Sequence, residues 1–425
     1  MRSTRREFMA AGAVAAMAPG FIRVDEPPVT AEGLMVREGR YLPRWIELLD
    51  DVGERARAIV VLGPQQAEHV EMVMRDGKSQ YASFLSEERV ALEGAGLSVI
   101  TPDPTADLDA IDAIDAIVEA SRGHRVVMLN EAHVASRHRA LLGRLLPRLR
   151  AEGFTHLAAE AFDDGVNRLG PEEPLRFQHG WYTRDPVFAE AVRQARELGY
   201  GLVAYEQRDD QLSDSPSLSN VATVVREQAQ ADNLRAALEA DPAMRVLVFV
   251  GYGHLRERGP PFAGRLKHDT GIDPLTIGQA QTGAWGPHTE DAPPVVALLE
   301  RFRPTMPVVL VPAGTRPVSA ATDAELTGEG ADLMVLHPAL PDVEGRPGWL
   351  ATDPARRRVA AEVPAGAGPR LLQAIPAAEP DPAIPADQFL VADAGGPATL
   401  FLRPGRYRLR LETATGFTPL MAIEV

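Results

Sequence analysis

The sequence has 425 residues, of which 45% are hydrophobic and 24% are charged, as expected for a folded protein with a substantial core. The formal net charge of −15 disfavours a nucleic-acid-binding protein, because phosphate contacts require clustered Lys and Arg. The sequence contains no cysteine, which excludes disulfides, thiolate nucleophiles and Cys-ligated metal sites within it.

Residues 1–30 resemble a bacterial export signal followed by a linker. A twin-arginine pair, Arg5 and Arg6, precedes an Ala-rich apolar stretch over residues 9–18. We therefore expect the twin-arginine export machinery to be a partner and the protein to be periplasmic or extracellular, with the signal cleaved or kept as an anchor. Beyond the signal no membrane span is expected, because the sequence has no run of 18 apolar residues.

Residues 31–120 are predicted to be mainly helical, because apolar residues recur at helical spacing over 45–62 and 67–95. Residues 121–340 instead alternate short apolar runs with amphipathic segments such as 137–153 and 188–201. The runs predict buried strands at 125–130, 156–161, 201–206, 245–251, 274–278, 308–312 and 332–337. This alternation is typical of an α/β fold with a mostly parallel central sheet covered by helices on both faces.

The last part of the chain has a different composition. Residues 341–386 are rich in Pro and are predicted to form a connection. Residues 387–425 alternate apolar and polar residues between Gly-bearing turns, which predicts a small antiparallel β appendage.

Polar side chains follow four of the predicted strands. Glu131 and His133 follow the first, Glu160 the second, Glu206 the third and His254 the fourth. In a parallel α/β sheet, ligands bind at the carboxyl ends of the strands. We therefore expect a catalytic group made of Glu131, His133, Glu160 and His254.

Two chemistries suit this group, and sequence spacing does not separate them. In the first, an imidazole takes a proton from water while a carboxylate orients its other nitrogen and a cation steadies the oxyanion. In the second, His133, His254 and Glu160 hold a divalent metal that activates water. Neither a GxSxG nucleophile elbow nor a GxxxxGK phosphate loop occurs in the sequence.

Six further polar residues are predicted to contact a substrate, because they lie near these strand ends or on one face of a following helix: Tyr182, Arg184, Asp185, Glu206, Arg226 and Asn233. Two of them also have a structural interpretation. Asp185 is a good N-cap for a helix that begins at Pro186, and Glu206 is close enough in sequence to pair with Arg208.

The segments LNEAH (129–133), AAEAF (158–162) and VFVGYGHL (248–255) together resemble the superfamily of erythromycin esterases, ChaN-like haem-binding proteins and TraB/Tiki proteins. By this resemblance Glu131 and His133 match the first motif, Glu160 the second and His254 the third. Asn130 departs from the Gly that usually opens the first motif, and we expect it to adopt the left-handed backbone conformation of that turn. His138, five residues after His133, is either a ChaN-like ligand or a surface histidine beside Arg137 and Arg139.

The resemblance implies an exported hydrolase of the erythromycin-esterase or Tiki type, which would cleave an ester or amide of a small-molecule or peptide substrate. His133 would activate water, with or without a divalent metal. The alternative it implies is a non-catalytic periplasmic protein of ChaN-like type that binds haem or a metal. A scaffold without activity is a third alternative.

Overall fold

The computed structural model describes residues 30–63, 68–93, 102–170, 172–215, 219–280, 292–314, 331–391 and 395–425. Of the segment predicted as export signal and linker, residues 1–30, all but Thr30 lie outside these ranges. Within them, no helix is both long enough and apolar enough to cross a membrane.

The N-terminal region is helical, as the apolar spacing predicted. Its described part contains α1 (Ala31–Glu38), α2 (Leu42–Leu48), α3 (Asp51–Leu62), α4 (Val70–Phe84) and α5 (Glu88–Glu93). Side chains cap two of these helices, since Thr30 accepts from the backbone N–H of Gly33 and Asp50 from that of Gly53.

The range predicted as helical also contains a strand, β1 (Leu108–Asp112), which pairs antiparallel with β7 (Val308–Pro312). Helix α6 (Ala113–Ser121) follows at once. It begins only there because the Asp112 side chain accepts from the backbone N–H groups of Ile114 and Asp115 and so caps it. Residues 108–112 are thus an exception within a range that is otherwise mainly helical, as predicted.

A large sheet forms the centre of the molecule. Its other strands are β2 (Val126–Glu131), β3 (His156–Ala159), β4 (Gly201–Ala204), β5 (Val246–Gly251), β6 (Leu275–Gly278) and β8 (Leu333–Leu336). The order across the sheet is β1-β7-β8-β6-β2-β5-β3-β4, and all pairs are parallel except those that β7 makes with β1 and β8. All seven strands predicted between residues 121 and 340 are present.

Helices cover both faces of this sheet. Helices α7 (Ser136–Ala151) and α8 (Pro186–Glu197) pack with α6 on one face, against side chains such as Leu129 and Phe249. Helices α9 (Asn220–Ala240) and α10 (Phe262–Thr270) pack on the other, against Met128 and Val248. Because neighbouring residues of one strand point to opposite faces and both faces are covered, the central strands carry apolar residues at consecutive positions. Helix α11 (Pro293–Phe302) covers the edge formed by β1 and β7.

The C-terminal β region begins earlier than predicted. After α12 (Gly348–Ala351) it contains β9 (Arg357–Val363), β10 (Arg370–Pro376), β11 (Asp387–Val391), β12 (Gly396–Leu402), β13 (Arg406–Thr413) and β14 (Gly416–Glu424). The strands form a sheet of order β11-β10-β13-β14 and a pair β12-β9, and side chains from both enclose one apolar core. Strands β9 and β10 lie in the range predicted as a Pro-rich connection. They form because each finds an antiparallel partner in the following segment.

Buried polar contacts hold the N-terminal helices against the C-terminal β region. Glu412 of β13 accepts from the backbone N–H groups of Tyr41 and Leu42, at 3.1 and 2.8 Å. The Gln388 amide donates to the backbone oxygen of Phe84, at 2.7 Å. The Glu412 bonds hold the start of α2 and the Gln388 bond holds the end of α4. Helix α4 in turn contacts the segment after β2, because the Ser136 hydroxyl donates to the backbone oxygen of Ser83.

Candidate active site

The four predicted catalytic side chains meet at the carboxyl edge of the sheet. Strand β5 lies between β2 and β3, so its last residue, Gly251, separates the segment after β2 from the one after β3. Glu131, His133, Glu160 and His254 are 3%, 5%, 8% and 6% exposed. At this depth every charge needs a partner, so the contacts within the group determine its chemistry.

His133 is held on one ring nitrogen and on one ring face. Its Nδ1 lies 2.9 Å from Oε1 of Glu131, and its ring stacks on Tyr182 with centroids 4.1 Å apart and planes 8° from parallel. Because a carboxylate only accepts hydrogen bonds, Nδ1 carries the proton in the neutral ring. The lone pair is therefore on Nε2.

A buried chain of charges supports Glu131. Arg139 donates to both oxygens of Glu131, at 2.7 and 3.2 Å, and to Oδ2 of Asp185 at 2.6 Å. The other oxygen of Asp185 caps α8 through the N–H groups of Val187 and Phe188. Burial raises the pKa of Glu131, but the charge and hydrogen bonds of Arg139 and the bond from His133 outweigh it and hold that pKa below its ordinary value. Glu131 is thus an ionised, oriented partner for the imidazole.

A second group forms around Glu160. Oε1 of Glu160 accepts a short hydrogen bond from Nη2 of Arg226, and Oε2 accepts from the backbone N–H of Gly251 at 2.5 Å. Arg226 also donates to both oxygens of Glu206, at 3.0 and 2.5 Å. Burial raises the pKa of Glu160, yet the charges of His254 and Arg226 outweigh it and keep that pKa well below its ordinary range.

His254 has a carboxylate near each ring nitrogen. Nδ1 lies 2.8 Å from Oε1 of Glu227, and Nε2 lies 3.5 Å from Oε1 of Glu160. Burial lowers the pKa of His254, but the two carboxylates outweigh it and raise it to about 10. His254 is therefore an imidazolium at neutral pH. Its Nε2 also lies 3.4 Å from Nη1 of Arg226, so two cationic N–H donors stand side by side.

Gly251 is the point at which the two groups face each other. A Cβ on residue 251 would lie 2.9 Å from Nε2 of His133 and 3.0 Å from Oε2 of Glu160. Glycine at this position leaves room for both atoms. The lone pair of His133 and the carboxylate of Glu160 thus border the same small space above the end of β5.

The donor set does not fit the predicted metal site. Within the ranges that the structure describes, no three His, Asp or Glu side chains have the arrangement that would hold a metal ion. Both ring nitrogens of His254, one of the three predicted ligands, already face carboxylates, with Nδ1 2.8 Å from Glu227 and Nε2 3.5 Å from Glu160. We therefore derive no step through a metal.

Of the six predicted substrate contacts, four lie in this group and two do not. Tyr182 and Arg226 contact the catalytic side chains directly, whereas Asp185 and Glu206 reach them through Arg139 and Arg226. Arg184 instead donates to the backbone oxygen of Phe177 and lies over the Trp181 ring.

The Asn233 side chain, on α9, is hydrogen-bonded to the loop that follows β4. Its oxygen accepts from Arg208 and Gln211, and its nitrogen donates to the backbone oxygens of Tyr205 and Glu206. These bonds give Arg184 and Asn233 structural roles, and we leave both out of the proposed site.

Two charged residues of the site, Arg139 and Glu227, were missed. Arg139 was considered only as a neighbour of His138, but its side chain is fully buried. Glu227, which follows Arg226 on α9, was not among the predicted site residues. The sequence feature that could have indicated both residues is the excess of carboxylates at the strand ends, because each carboxylate needs a partner once helices cover the sheet.

Asn130 and His138 also differ from expectation. Asn130 belongs to β2, has no positive φ, and accepts from the backbone N–H of Gln279 at 2.7 Å. It ties β2 to the end of β6 instead of forming a left-handed turn. His138 is 1% exposed, accepts from the N–H of Ala132, and lies against His337 with ring centroids 5.1 Å apart. The surface interpretation of His138 was therefore wrong.

Comparison with known proteins gives no family. No family model and no curated protein matches the sequence. Among solved structures, the chain is similar to the type III effector HopBA1 at 17% identity and a TM-score of 0.32, over 45% of this chain and 94% of that one. It is also similar to RRSP, a MARTX toxin effector domain from Vibrio vulnificus CMCP6, at 11% identity and a TM-score of 0.30, over 52% of this chain and 54% of that one. Similarity at this level says nothing about activity, so function has to be inferred from the chain's own side chains.

Proposed function

We propose that the protein is a hydrolase that cleaves an ester or amide bond with water activated by His133. One observation carries the proposal: the buried chain Asp185–Arg139–Glu131 holds Nδ1 of His133 at 2.9 Å, while Nε2 faces Glu160 across Gly251. An imidazole held on one nitrogen by an ionised carboxylate, with its other nitrogen basic, is the arrangement of a general base.

The chemistry follows from these positions. Nε2 of His133 takes a proton from water as the water oxygen attacks the carbonyl carbon, and Glu131 stabilises the imidazolium that forms. Glu160 accepts the second hydrogen of the water and so orients it. The negative charge that develops on the carbonyl oxygen is met by Nη1 of Arg226 and Nε2 of His254, two cationic donors 3.4 Å apart. The imidazolium of His133 then gives its proton to the leaving alkoxide or amine.

The experiment is turnover of a panel of ester, lactone and peptide substrates by the wild-type protein and by His133→Ala. We expect His133→Ala to lose at least about 100-fold in kcat/KM, as general bases contribute 10²–10⁴-fold, with an unchanged circular dichroism spectrum. His268→Ala is the matched control, because that side chain is 88% exposed and bonds only to the neighbouring Asp269 in the described structure. Full activity in His133→Ala would remove the proposal.

We also propose that the chain is exported by the twin-arginine route, on the strength of Arg5 and Arg6 ahead of the apolar stretch. The test is cell fractionation of a double Arg5→Lys, Arg6→Lys variant beside the wild-type protein. Retention of the variant in the cytoplasm supports export by this route, and equal export of both contradicts it.

A further inference from the structure

Helix α4 carries two buried polar side chains with unsatisfied oxygens. Asp76 and Gln80 lie one turn apart on one face of the helix and are 4% and 0% exposed. Neither Oδ2 of Asp76 nor Oε1 of Gln80 has a hydrogen-bond partner in the described structure. Buried acceptors without a partner are rare in folded proteins, because each loses its hydration without compensation. Two of them on one helix face indicate a missing donor.

Both side chains lie beside the proposed site. The Gln80 amide donates to the backbone oxygen of His133 at 2.8 Å. Asp76 is close enough to Tyr252 that its charge adds to the effect of burial in raising the pKa of that phenol. Tyr252 directly follows Gly251 and packs near Ala132, the residue before His133. Gln80 therefore borders the segment that carries the general base, and Asp76 lies one turn away on the same face of α4.

The charge of this region calls for a cation. Burial raises the pKa of Asp76 to about 6, since Arg75, with its Nε 3.7 Å away, compensates only in part. Asp76 remains largely ionised at neutral pH. The adjoining group contains five carboxylates and three cationic side chains, namely Glu131, Glu160, Asp185, Glu206 and Glu227 against Arg139, Arg226 and His254. An anionic substrate would add to this excess, whereas a cationic one reduces it.

We propose that Asp76 and Gln80 bind a protonated amine of the substrate, next to the bond that His133 hydrolyses. An ammonium group offers three N–H donors and one positive charge, which match two acceptor oxygens and one carboxylate that Arg75 compensates only in part. The position of the scissile bond rests on the proposed function, but amine binding does not depend on turnover.

The test is fluorescence titration with dansylcadaverine, a primary amine, and with its N-acetylated form, which has no charge. We expect the wild-type protein and His133→Ala to bind the amine at least ten-fold more tightly than the acetylated probe, and Asp76→Asn to lose that preference. Glu71→Gln is the matched control, because Glu71 lies on the same helix but its side chain is 67% exposed. Equal binding of the two probes by the wild-type protein overturns the proposal, whether or not a variant folds. So does a preference that persists in Asp76→Asn.

Turnover separates this inference from the proposed function. The p-nitrophenyl esters of N-acetyl-lysine and N-acetyl-norleucine differ chiefly in the side-chain ammonium. We expect the lysine ester to have the higher kcat/KM, and Asp76→Asn to remove the difference through KM. Amine binding with no turnover of either ester leaves the amine site and removes the hydrolase. Equal turnover of both esters keeps the hydrolase and overturns the amine site.

Discussion

Replacing Arg139 with methionine tests the buried charge chain that orients His133. The Arg139 side chain is fully buried, and it bonds to Glu131, Asp185 and the backbone oxygen of His133 at 2.6–3.2 Å. Methionine fills much of the same volume, but leaves two carboxylates buried without their cation. Removing one partner of a buried ion pair costs about 3–5 kcal/mol. We therefore expect Arg139→Met to lower the free energy of unfolding by about that amount and to reduce turnover, since Glu131 no longer holds the imidazole.

The assay is equilibrium urea unfolding at pH 7, with Arg148→Met as the matched control. Arg148 lies on the same helix, but its pair with Asp115 has side chains 52% and 61% exposed, so its loss is expected to cost less than about 1 kcal/mol. The deficit of Arg139→Met should shrink as the pH falls. Without Arg139, burial raises the pKa of Glu131, and protonation then removes the unpaired charge. Equal losses in the two variants would refute the reasoning.

Three further changes are expected to have measurable effects. In Gly251→Ala, the added Cβ would lie 2.9 Å from Nε2 of His133 and 3.0 Å from Oε2 of Glu160. We therefore expect kcat/KM to fall at least ten-fold, with only a modest change in Tm. Unaltered kinetics would mean that these two atoms do not border the reacting groups. The stabilisation that His254 gains from Glu227 and Glu160 is complete below its unfolded pKa of about 6.5 and is lost as the pH rises towards its folded pKa of about 10. The free energies of urea unfolding of the wild-type protein and of His254→Gln should therefore converge at alkaline pH. A difference that stays constant with pH would contradict this. Burial lowers the pKa of His337 to about 3, so its contribution to the free energy of unfolding is present above about pH 6.5 and is lost as the pH falls towards 3. In His337→Gln, the free energy of unfolding should therefore fall less steeply on the acid side. The same acid dependence in both proteins would count against a neutral, buried imidazole.

The central sheet could be predicted because its strands are continuous apolar runs between amphipathic helices. The segments that differ are those whose local pattern competes with a long-range partner. LDAID (108–112) has a spacing compatible with a helix, but pairing with β7 makes it a strand. Arg357–Val363 and Arg370–Pro376 lie in Pro-rich sequence, yet form β9 and β10 because strands further along the chain pair with them. Such pairing is not visible in a local window.

The site could be predicted only in outline. Parallel strands bring Glu131, Glu160 and His254 to one edge whatever the details of the loops, so their proximity follows from the topology. Which charges neutralise them does not follow from it. Arg139 is buried only because α7 packs over the end of β2, and a charged residue on a helix ordinarily faces solvent. The same difficulty placed Arg184 and Asn233 in the site, since sequence does not tell which partner a polar side chain on a turn or a helix binds.

In the proposed mechanism, an imidazole held by a carboxylate activates water without a metal. The most direct measurement is turnover by chelator-treated protein, checked by elemental analysis, beside His133→Ala under the same conditions. We expect full activity in the metal-free wild-type protein and its loss in His133→Ala. Activity that disappears on chelation and returns with Zn²⁺ or Mn²⁺ would contradict it.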